Sequence, residues 1–310
     1  MAADQAVTID RVLLIGASGQ IGIFCIPMLV ARGFSVIALS RRPRPPWYPE
    51  FPGVTWITPV EFAKCKTDNV TVLLSAGPAA LAVKYAEHLP ALRRMVVFSS
   101  TSVQAKRRTR DPHEQSQIAA LEQAEQSLRS LCVREAIDLA LFRPTLVYGC
   151  GLDTNISRIA RWIRRLGFLA LPSNAQGRRQ PVHAEDLARI AAQAMTADIP
   201  SVFESAIPGG SVMTYEEMVR KVFHGLDRPV RILRLPRWLL TGVATVTCRL
   251  PGRWRISPEI IRRQSADQVF VAEALSCGID FSTRIFAPGE DDFRLPDRDY
   301  LSHLAAPPSG

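Results

Sequence analysis

The chain has 310 residues, of which 47% are hydrophobic and 22% are charged, and its formal net charge is +9. This balance predicts a globular protein with a sizeable core and excludes a wholly disordered chain. The length allows one large α/β domain and a smaller companion.

The positive charge comes mainly from arginine, with 33 arginines against 5 lysines. No basic helix carries interleaved aromatic residues, so we expect no nucleic-acid partner. The planar guanidinium binds phosphate through two parallel hydrogen bonds, so a small molecule that carries a diphosphate explains the charge at least as well.

The N-terminal ten residues contain two acids and no basic residue, unlike a secretory signal or a transit peptide. The apolar stretch Trp238–Cys248 is far shorter than the roughly 20 residues that cross a bilayer. We therefore expect a cytoplasmic protein without a transmembrane segment. The cysteines form no Cys-x-x-Cys pair, so we expect reduced, mostly buried thiols and no metal site. They are Cys25, Cys65, Cys132, Cys150, Cys248 and Cys277.

Short apolar runs alternate with helical patterns along the first half of the chain. The predicted strands are 12–15, 34–39, 54–57, 70–74, 95–98 and 139–142, and the predicted helices are 22–32, 79–88, 116–135 and 184–196. Alternating strands and helices, with strands apolar on both faces, predict an α/β fold with a Rossmann-type, doubly wound parallel sheet.

The pattern changes after Tyr148, where arginines and prolines become frequent. We predict that residues 8–150 form a dinucleotide-binding domain and that 182–207 return to it. Residues 151–181 and 208–304 would form a smaller C-terminal substrate-binding domain.

A glycine motif directly follows the first predicted strand and opens a helix. Glycine allows the tight turn, the close approach of the backbone to a pyrophosphate, and close helix–strand packing, while the helix N-terminus favours phosphate. This context predicts a dinucleotide site. Its predicted cofactor-binding residues are Gly16, Ser18, Gly19, Gln20, Ile21 and Gly22.

The end of the second strand distinguishes NAD from NADP, because a carboxylate there binds the ribose hydroxyl and an arginine accommodates a 2′-phosphate. Here Ser40, Arg41 and Arg42 follow the strand, and no acid occurs before Glu50. These residues predict NADP(H) rather than NAD(H), with Arg41 as the phosphate ligand. The alternative is that both arginines are solvated loop residues.

Five segments in this order resemble the extended short-chain dehydrogenase/reductase superfamily, which contains the NAD-dependent nucleotide-sugar epimerases and dehydratases. The segments are 16–22, 74–78, 97–103, 142–149 and 181–187. The resemblance covers most of the chain and implies hydride transfer at a nicotinamide.

The resemblance also implies roles for individual residues. Ala76, Gly77, Pro78, Ser99 and Pro144 would lie along the cofactor. Ser100 and Thr101 would assist catalysis. Tyr148, Arg178 and His183 would bind substrate.

The chain departs from the family at the catalytic dyad, a tyrosine four residues before a lysine on the helix after the fifth strand. The lysine lowers the pKa of the phenol so that it can exchange a proton near neutral pH. If Glu125 matches the acid that often follows the lysine in the family, Gln117 and Leu121 occupy the two catalytic positions.

Three side chains near that helix are possible substitute bases: Lys106, His113 and Glu114. Each has a simpler interpretation. Lys106 belongs to a basic loop, while His113 and Glu114 suit the first turn of a helix.

Two further segments each have two interpretations. The arginines of 158–165, with Arg178 and Arg179, either clamp a nucleotide diphosphate or form a charged helix face. The segment 235–255, apolar and flanked by arginine and tryptophan, is either an interfacial membrane helix or, as we prefer, a helix of the smaller domain packed on the substrate cleft.

We therefore predict an NAD(P)-dependent oxidoreductase related to the nucleotide-sugar epimerases and dehydratases. The candidate substrate is a small molecule such as a nucleotide sugar, and the candidate assembly is a homodimer. The missing dyad leaves an alternative, in which the chain is a catalytically inactive dinucleotide sensor or an assembly protein.

Overall fold

The structure is a computed structural model that describes residues 10–105, 109, 111–247, 263–273 and 278–307. Its strands are β1 Arg11–Ile15, β2 Ser35–Leu39, β3 Val54–Ile57, β4 Val70–Ser75, β5 Arg94–Phe98, β6 Asp138–Pro144, β7 Leu146–Tyr148, β8 Leu169–Pro172, β9 Arg178–Arg179, β10 Pro181–His183, β11 Val202–Ile207, β12 Met213–Thr214 and β13 Ile232–Leu235.

The helices are α1 Gly22–Ala31, α2 Pro59–Phe62, α3 Ala79–Ala86, α4 Ser102–Ala105, α5 Pro112–Glu135, α6 Ile156–Leu166, α7 Ala184–Ala194, α8 Tyr215–Gly225, α9 Arg237–Thr247 and α10 Arg298–Leu304, with a 3₁₀ turn at Glu290–Phe293. All six strands predicted in the first half are present, with ends that differ by a few residues.

Seven strands form one parallel sheet in the order β11-β6-β5-β4-β1-β2-β3. Residues of α1, α7 and α10 pack in the hydrophobic cluster on one face, and residues of α3 and α5 pack in the cluster on the other. Burial on both faces explains why the strands are continuously apolar. The predicted Rossmann-type α/β fold is confirmed.

A third hydrophobic cluster lies outside the two faces of the sheet. It joins α6 and α8 with β8 and includes Phe286 and Phe293. The division into two domains stays a prediction, although β11 does pair with β6 in the main sheet. The predicted burial of thiols is found for Cys25, Cys132 and Cys150, while Cys65 is half-buried and Cys248 and Cys277 lie outside the described residues.

A buried charge cluster fastens α5 to the sheet. Glu125 of α5 is 3% exposed and accepts hydrogen bonds from Arg143 of β6 at 3.0 and 2.6 Å. Arg143 also donates to Glu204 of β11 at 2.7 Å, and Arg129 of α5 pairs with both glutamates. A buried carboxylate is tolerated because every charge in the cluster has an opposite partner.

The same contacts keep Glu125 ionised. Burial acts to raise the pKa of Glu125, but hydrogen bonds from Arg143 and Ser99, with the charges of Arg143 and Arg129, outweigh it and lower the pKa. A carboxyl whose pKa is lower in the folded state than in the unfolded state stabilises the fold above its unfolded pKa, about 4.3. That contribution is lost as the pH falls through the folded pKa.

We expect Glu125→Ala to lower the free energy of unfolding by about 3–5 kcal/mol at neutral pH, because it removes one of the two carboxylates that pair with the buried Arg143 guanidinium. Denaturant unfolding measures the change. Glu135→Ala, which removes an exposed pair with Arg134 at the end of the same helix, should change it by less than about 1 kcal/mol. The two variants should converge as the pH falls from the unfolded pKa of Glu125 through its lowered folded pKa, because the carboxyl is then protonated in both states. Equal effects at neutral pH would contradict the assigned role.

Candidate functional site

The glycine motif forms a tight turn between β1 and α1. Gly16 has a φ of +78°, a conformation that favours glycine, and a Cβ on it would lie 2.9 Å from the Gly77 nitrogen. A Cβ on Gly22 would collide with the Gly16 carbonyl oxygen. The Gly19 N–H closes the turn by donating to the Gly16 oxygen at 2.8 Å. The tight turn and the close packing of the backbone thus require glycine at Gly16 and Gly22.

The turn leaves backbone donors free at the start of α1. Within the described part of the chain, the N–H groups of Gln20 and Ile21 have no hydrogen-bond acceptor. The buried Oε1 of Gln20 also lacks a partner among these residues. Free donors at a helix N-terminus bind phosphate oxygens, so this turn fits the diphosphate of a dinucleotide.

The loop after β2 brings Ser40 to the turn. Ser40 is buried, and its Oγ lies 2.8 Å from the Oγ of Ser18 and accepts from the Arg42 N–H at 3.3 Å. The side chains of Arg41 and Arg42 are exposed, and neither guanidinium has a hydrogen-bond partner among the residues described. The structure thus joins Ser18 to Ser40 but leaves both arginines in solvent.

A cavity of about 1090 Å³ opens at the carboxyl ends of β1, β4, β5 and β6. In a doubly wound sheet, this edge is where ligands bind. Eight of the predicted site residues line it: Gln20, Ile21, Ala76, Gly77, Ser99, Ser100, Thr101 and Pro144. Pro78, at the start of α3, is outside the lining, as are the remaining residues of the glycine turn.

The hydroxyl groups after β5 are held by local hydrogen bonds. Ser99 donates to Glu125 at 2.5 Å, and Thr101 donates to the Pro144 oxygen at 3.1 Å. The Oγ of Ser100 accepts from the Ser102 N–H at 3.1 Å. All three have fixed orientations, and the geometry suits them to hold a ligand rather than to attack one.

The family's two catalytic positions lie away from the cavity. Gln117 is exposed and lies 3.3 Å from the His113 ring, while Leu121 packs against the core under α5. Helix α5 begins at Pro112, after the capping residue Asp111, so His113 and Glu114 belong to its first turn. Lys106 lies outside the described residues.

Glu114 nevertheless lines the cavity. Its carboxylate accepts from Arg263 at 2.5 Å and from the Thr109 hydroxyl at 2.8 Å. This contact joins α5 to a segment that lies far along the chain, and both residues line the cavity.

The three residues predicted to bind substrate do not line the cavity. His183 is buried, donates from Nε2 to Asp292 across 3.0 Å, and accepts from the Glu185 N–H at Nδ1, which caps α7. Tyr148 packs edge-on against His183, and burial raises the pKa of its phenol. Arg178 is 56% exposed and pairs with Asp267 at 2.8 Å. Their roles in substrate binding stay predictions.

The neighbour of Arg178 does face the cavity. Arg179 is buried and donates to the carbonyl oxygens of Arg178, Ala266 and Arg263 at 2.8, 2.7 and 2.5 Å. Its guanidinium also lies 5.6 Å from the centre of the Tyr215 ring. Burial lowers the pKa of Arg179, and no carboxylate of the described chain lies within ion-pair distance.

Other residues of the lining come from separate parts of the chain. Arg158 stacks on Trp162 at 5.5 Å, and both line the cavity, while Ile163 on the same helix is buried in the core. The sequence indicated Arg158 and Arg179 only as members of an arginine-rich stretch. It gave no signal for Tyr215, Arg263 or Gln264, which belong to no motif.

No protein-family model matches the chain. A UDP-glucose 4-epimerase of Vibrio cholerae is 26% identical over 142 residues, which cover 43% of this chain and 43% of the relative. The match therefore spans less than half of that enzyme.

Solved structures match over much more of the chain. MoeE5 in complex with UDP-glucuronic acid and NAD aligns with a TM-score of 0.58 and 20% identity, covering 73% of this chain and 86% of MoeE5. TunA, an NAD-dependent NDP-hexosamine 5,6-dehydratase of tunicamycin biosynthesis, aligns with a TM-score of 0.56 and 17% identity, covering 88% and 94%.

The chain therefore has the fold that MoeE5 and TunA share. The resemblance predicted from the sequence motifs is thereby confirmed. Among the described residues, no helix combines the length and the apolar character needed to cross a bilayer.

The preference for NADP(H) over NAD(H) is wrong, because the solved structures with the same fold hold or depend on NAD. The structure supplies the physical reason. Arg41 and Arg42 are exposed beyond the end of β2 instead of being held against the glycine turn. In a chain with 33 arginines, an arginine at this position is a weak sign of a 2′-phosphate.

We expect NAD⁺ at 100 times its dissociation constant to stabilise the protein by about 2.7 kcal/mol, seen as a rise in melting temperature. Gly22→Ala should abolish this rise, because the new methyl group displaces the Gly16 carbonyl and opens the turn. Gly289→Ala is the matched control, since its Cβ would meet no atom within 4 Å. A full NAD⁺ response in Gly22→Ala would show that the dinucleotide binds elsewhere.

Proposed function

We propose that the chain is an NAD-dependent oxidoreductase that acts on a nucleotide sugar, in the manner of the epimerases and dehydratases. The turn at Gly16–Gly22 fits the dinucleotide, and the large cavity beside it leaves room for a second ligand. Of the similar proteins named above, one is a UDP-glucose 4-epimerase, one is an NAD-dependent NDP-hexosamine dehydratase, and MoeE5 holds UDP-glucuronic acid together with NAD. The sensor or assembly alternative rests on the missing dyad, and the similar proteins give it no support.

Arg179 carries the proposal. A buried cation without a carboxylate partner is costly, and an anion that binds beside it removes that cost. Arg158 adds a second positive charge to the same cavity. Two guanidiniums that face a cavity suit a diphosphate, the group that joins the nucleoside to the sugar.

The positions of the residues around the cavity suggest a role for each of them. When bound, NAD supplies the hydride acceptor and donor. The free N–H groups of Gln20 and Ile21 hold its diphosphate, and Arg179 with Arg158 holds the diphosphate of the substrate. Ser100 and Thr101, which follow β5 and line the same cavity, orient the sugar.

We expect Arg179→Gln to weaken binding of UDP-glucose or UDP-N-acetylglucosamine by about tenfold to hundredfold, the usual effect of losing hydrogen bonds to a charged group. Titration calorimetry in the presence of NAD⁺ measures the loss. Arg178→Gln is the matched control, because this neighbouring arginine is exposed and pairs with Asp267.

The NAD⁺-induced rise in melting temperature shows whether Arg179→Gln is folded, and Arg179→Lys shows how much a charge alone restores. A larger loss in Arg178→Gln than in Arg179→Gln would move the substrate contact to Arg178, as the sequence predicted.

Turnover is tested directly by incubating the protein with NAD⁺ and each UDP-sugar. We expect NADH fluorescence of the bound cofactor to rise and a changed sugar nucleotide to appear on chromatography. Gly22→Ala and Arg179→Gln should each abolish the product. If both ligands bind and neither the cofactor nor the sugar changes, the oxidoreductase proposal fails, while the proposed binding of both ligands is still supported.

A further inference from the structure

Two segments of the chain meet on one side of the cavity. Strand β8 pairs with β13 in parallel, with Leu169 opposite Ile232 and Pro172 opposite Leu235. Helix α6 directly precedes β8, and α9 directly follows β13 and packs on β8. Residues 156–172 and 228–241 therefore form one continuous part of the surface, which we call the β8–β13 face.

Large apolar side chains are exposed on this face. Trp238 is 74% exposed, Leu166 53%, Leu233 49% and Phe168 41%. Single exposed apolar residues are ordinary, but four that belong to two paired segments mark a binding surface. Leu166 and Phe168 also line the cavity, as does Leu240 of α9. The face thus borders the mouth of the cavity.

The same two segments are strongly basic. Each contains four arginines and no acid. Among described residues, Arg164 lies 3.5 Å from Glu290 and Arg234 pairs with Glu216. Arg161, Arg231 and Arg237 are exposed and form no ion pair within the described ranges. A large share of the net charge of the chain therefore surrounds the exposed apolar side chains.

Apolar side chains flanked by basic ones match the chemistry of an anionic lipid surface. The apolar groups enter the boundary between headgroups and acyl chains, and tryptophan and arginine favour that depth. Each basic residue near such a surface strengthens binding by about fivefold at low ionic strength.

A second copy of this chain suits the face less well. Two-fold symmetry would set the face against itself and bring both sets of arginines together. Like charges across an interface oppose association. With no acid in either segment, nothing in the face offsets this repulsion.

We propose that the β8–β13 face docks on an anionic membrane surface, with the mouth of the cavity beside the lipid. This peripheral contact needs no membrane-spanning helix. The segment 235–255 is interpreted from its sequence either as an interfacial membrane helix or as a helix packed on the substrate cleft. The proposal is consistent with both, because Leu240 lines the cavity while Trp238 is exposed. The proposal does not depend on the identity of the substrate.

Co-sedimentation of the full chain with lipid vesicles tests the proposal. We expect binding to vesicles of phosphatidylcholine mixed with phosphatidylglycerol, little binding to phosphatidylcholine alone, and release as the salt concentration rises. The double variant Trp238→Ser/Leu239→Ser and the double variant Arg231→Gln/Arg237→Gln should each weaken binding by about tenfold or more.

Matched controls lie on α5, away from this face. Val133→Ser removes an apolar side chain that is 72% exposed, and Arg134→Gln removes an exposed charge, and neither should change vesicle binding. The NAD⁺-induced rise in melting temperature reports whether each variant is folded.

Failure of the native protein to bind anionic vesicles at low salt would overturn the proposal, as would equal binding to neutral vesicles or unchanged binding in both double variants. Size-exclusion chromatography tests whether a second copy of the chain occupies this face instead of a membrane. A native dimer that Trp238→Ser/Leu239→Ser converts to a monomer would assign the face to a second copy instead.

Discussion

The ion pair between Glu125 and Arg143 is the constraint on which the site depends. It fixes α5 against β6, and through Ser99 it sets the start of the hydroxyl cluster at the edge of the cavity. Glu204 extends the pair to β11, so the last strand of the sheet is held by the same charges. A small displacement of Glu125 would move the helix, two strands and the cavity wall together, because interiors are densely packed.

In helix α5, Glu125 anchors the helix to the sheet. Gln117 and Leu121, which the resemblance predicted at the positions of the catalytic tyrosine and lysine, do not line the cavity. The dinucleotide turn keeps its glycines and its free N–H groups. The glycine turn and the anchor of the helix are thus both present, while the two positions predicted to be catalytic bring no side chain to the cavity.

The sequence predicted those parts of the fold that local patterns encode. Continuous apolar runs predicted six strands, and the spacing of Gly16, Gly19 and Gly22 after a strand predicted the turn. Contacts made by distant segments were not predictable, because Arg263 reaches Glu114 and Tyr215 reaches Arg179 only in the folded chain. Arg41 was misjudged for a related reason: a residue type does not reveal whether its side chain turns toward a ligand or toward water.

The position of β11 has a consequence for biosynthesis. This strand completes the sheet by pairing with β6, yet it is made roughly 60 residues later, about 3–12 seconds at ordinary translation rates. Until then β6 presents an unpaired apolar edge, with Arg143 still lacking its contact with Glu204. Exposed edges of this kind pair readily with other chains. The nascent protein therefore passes through an interval in which the edge of β6 can pair with another chain. Such pairing would compete with formation of the native sheet, and a chaperone bound to β6 would prevent it.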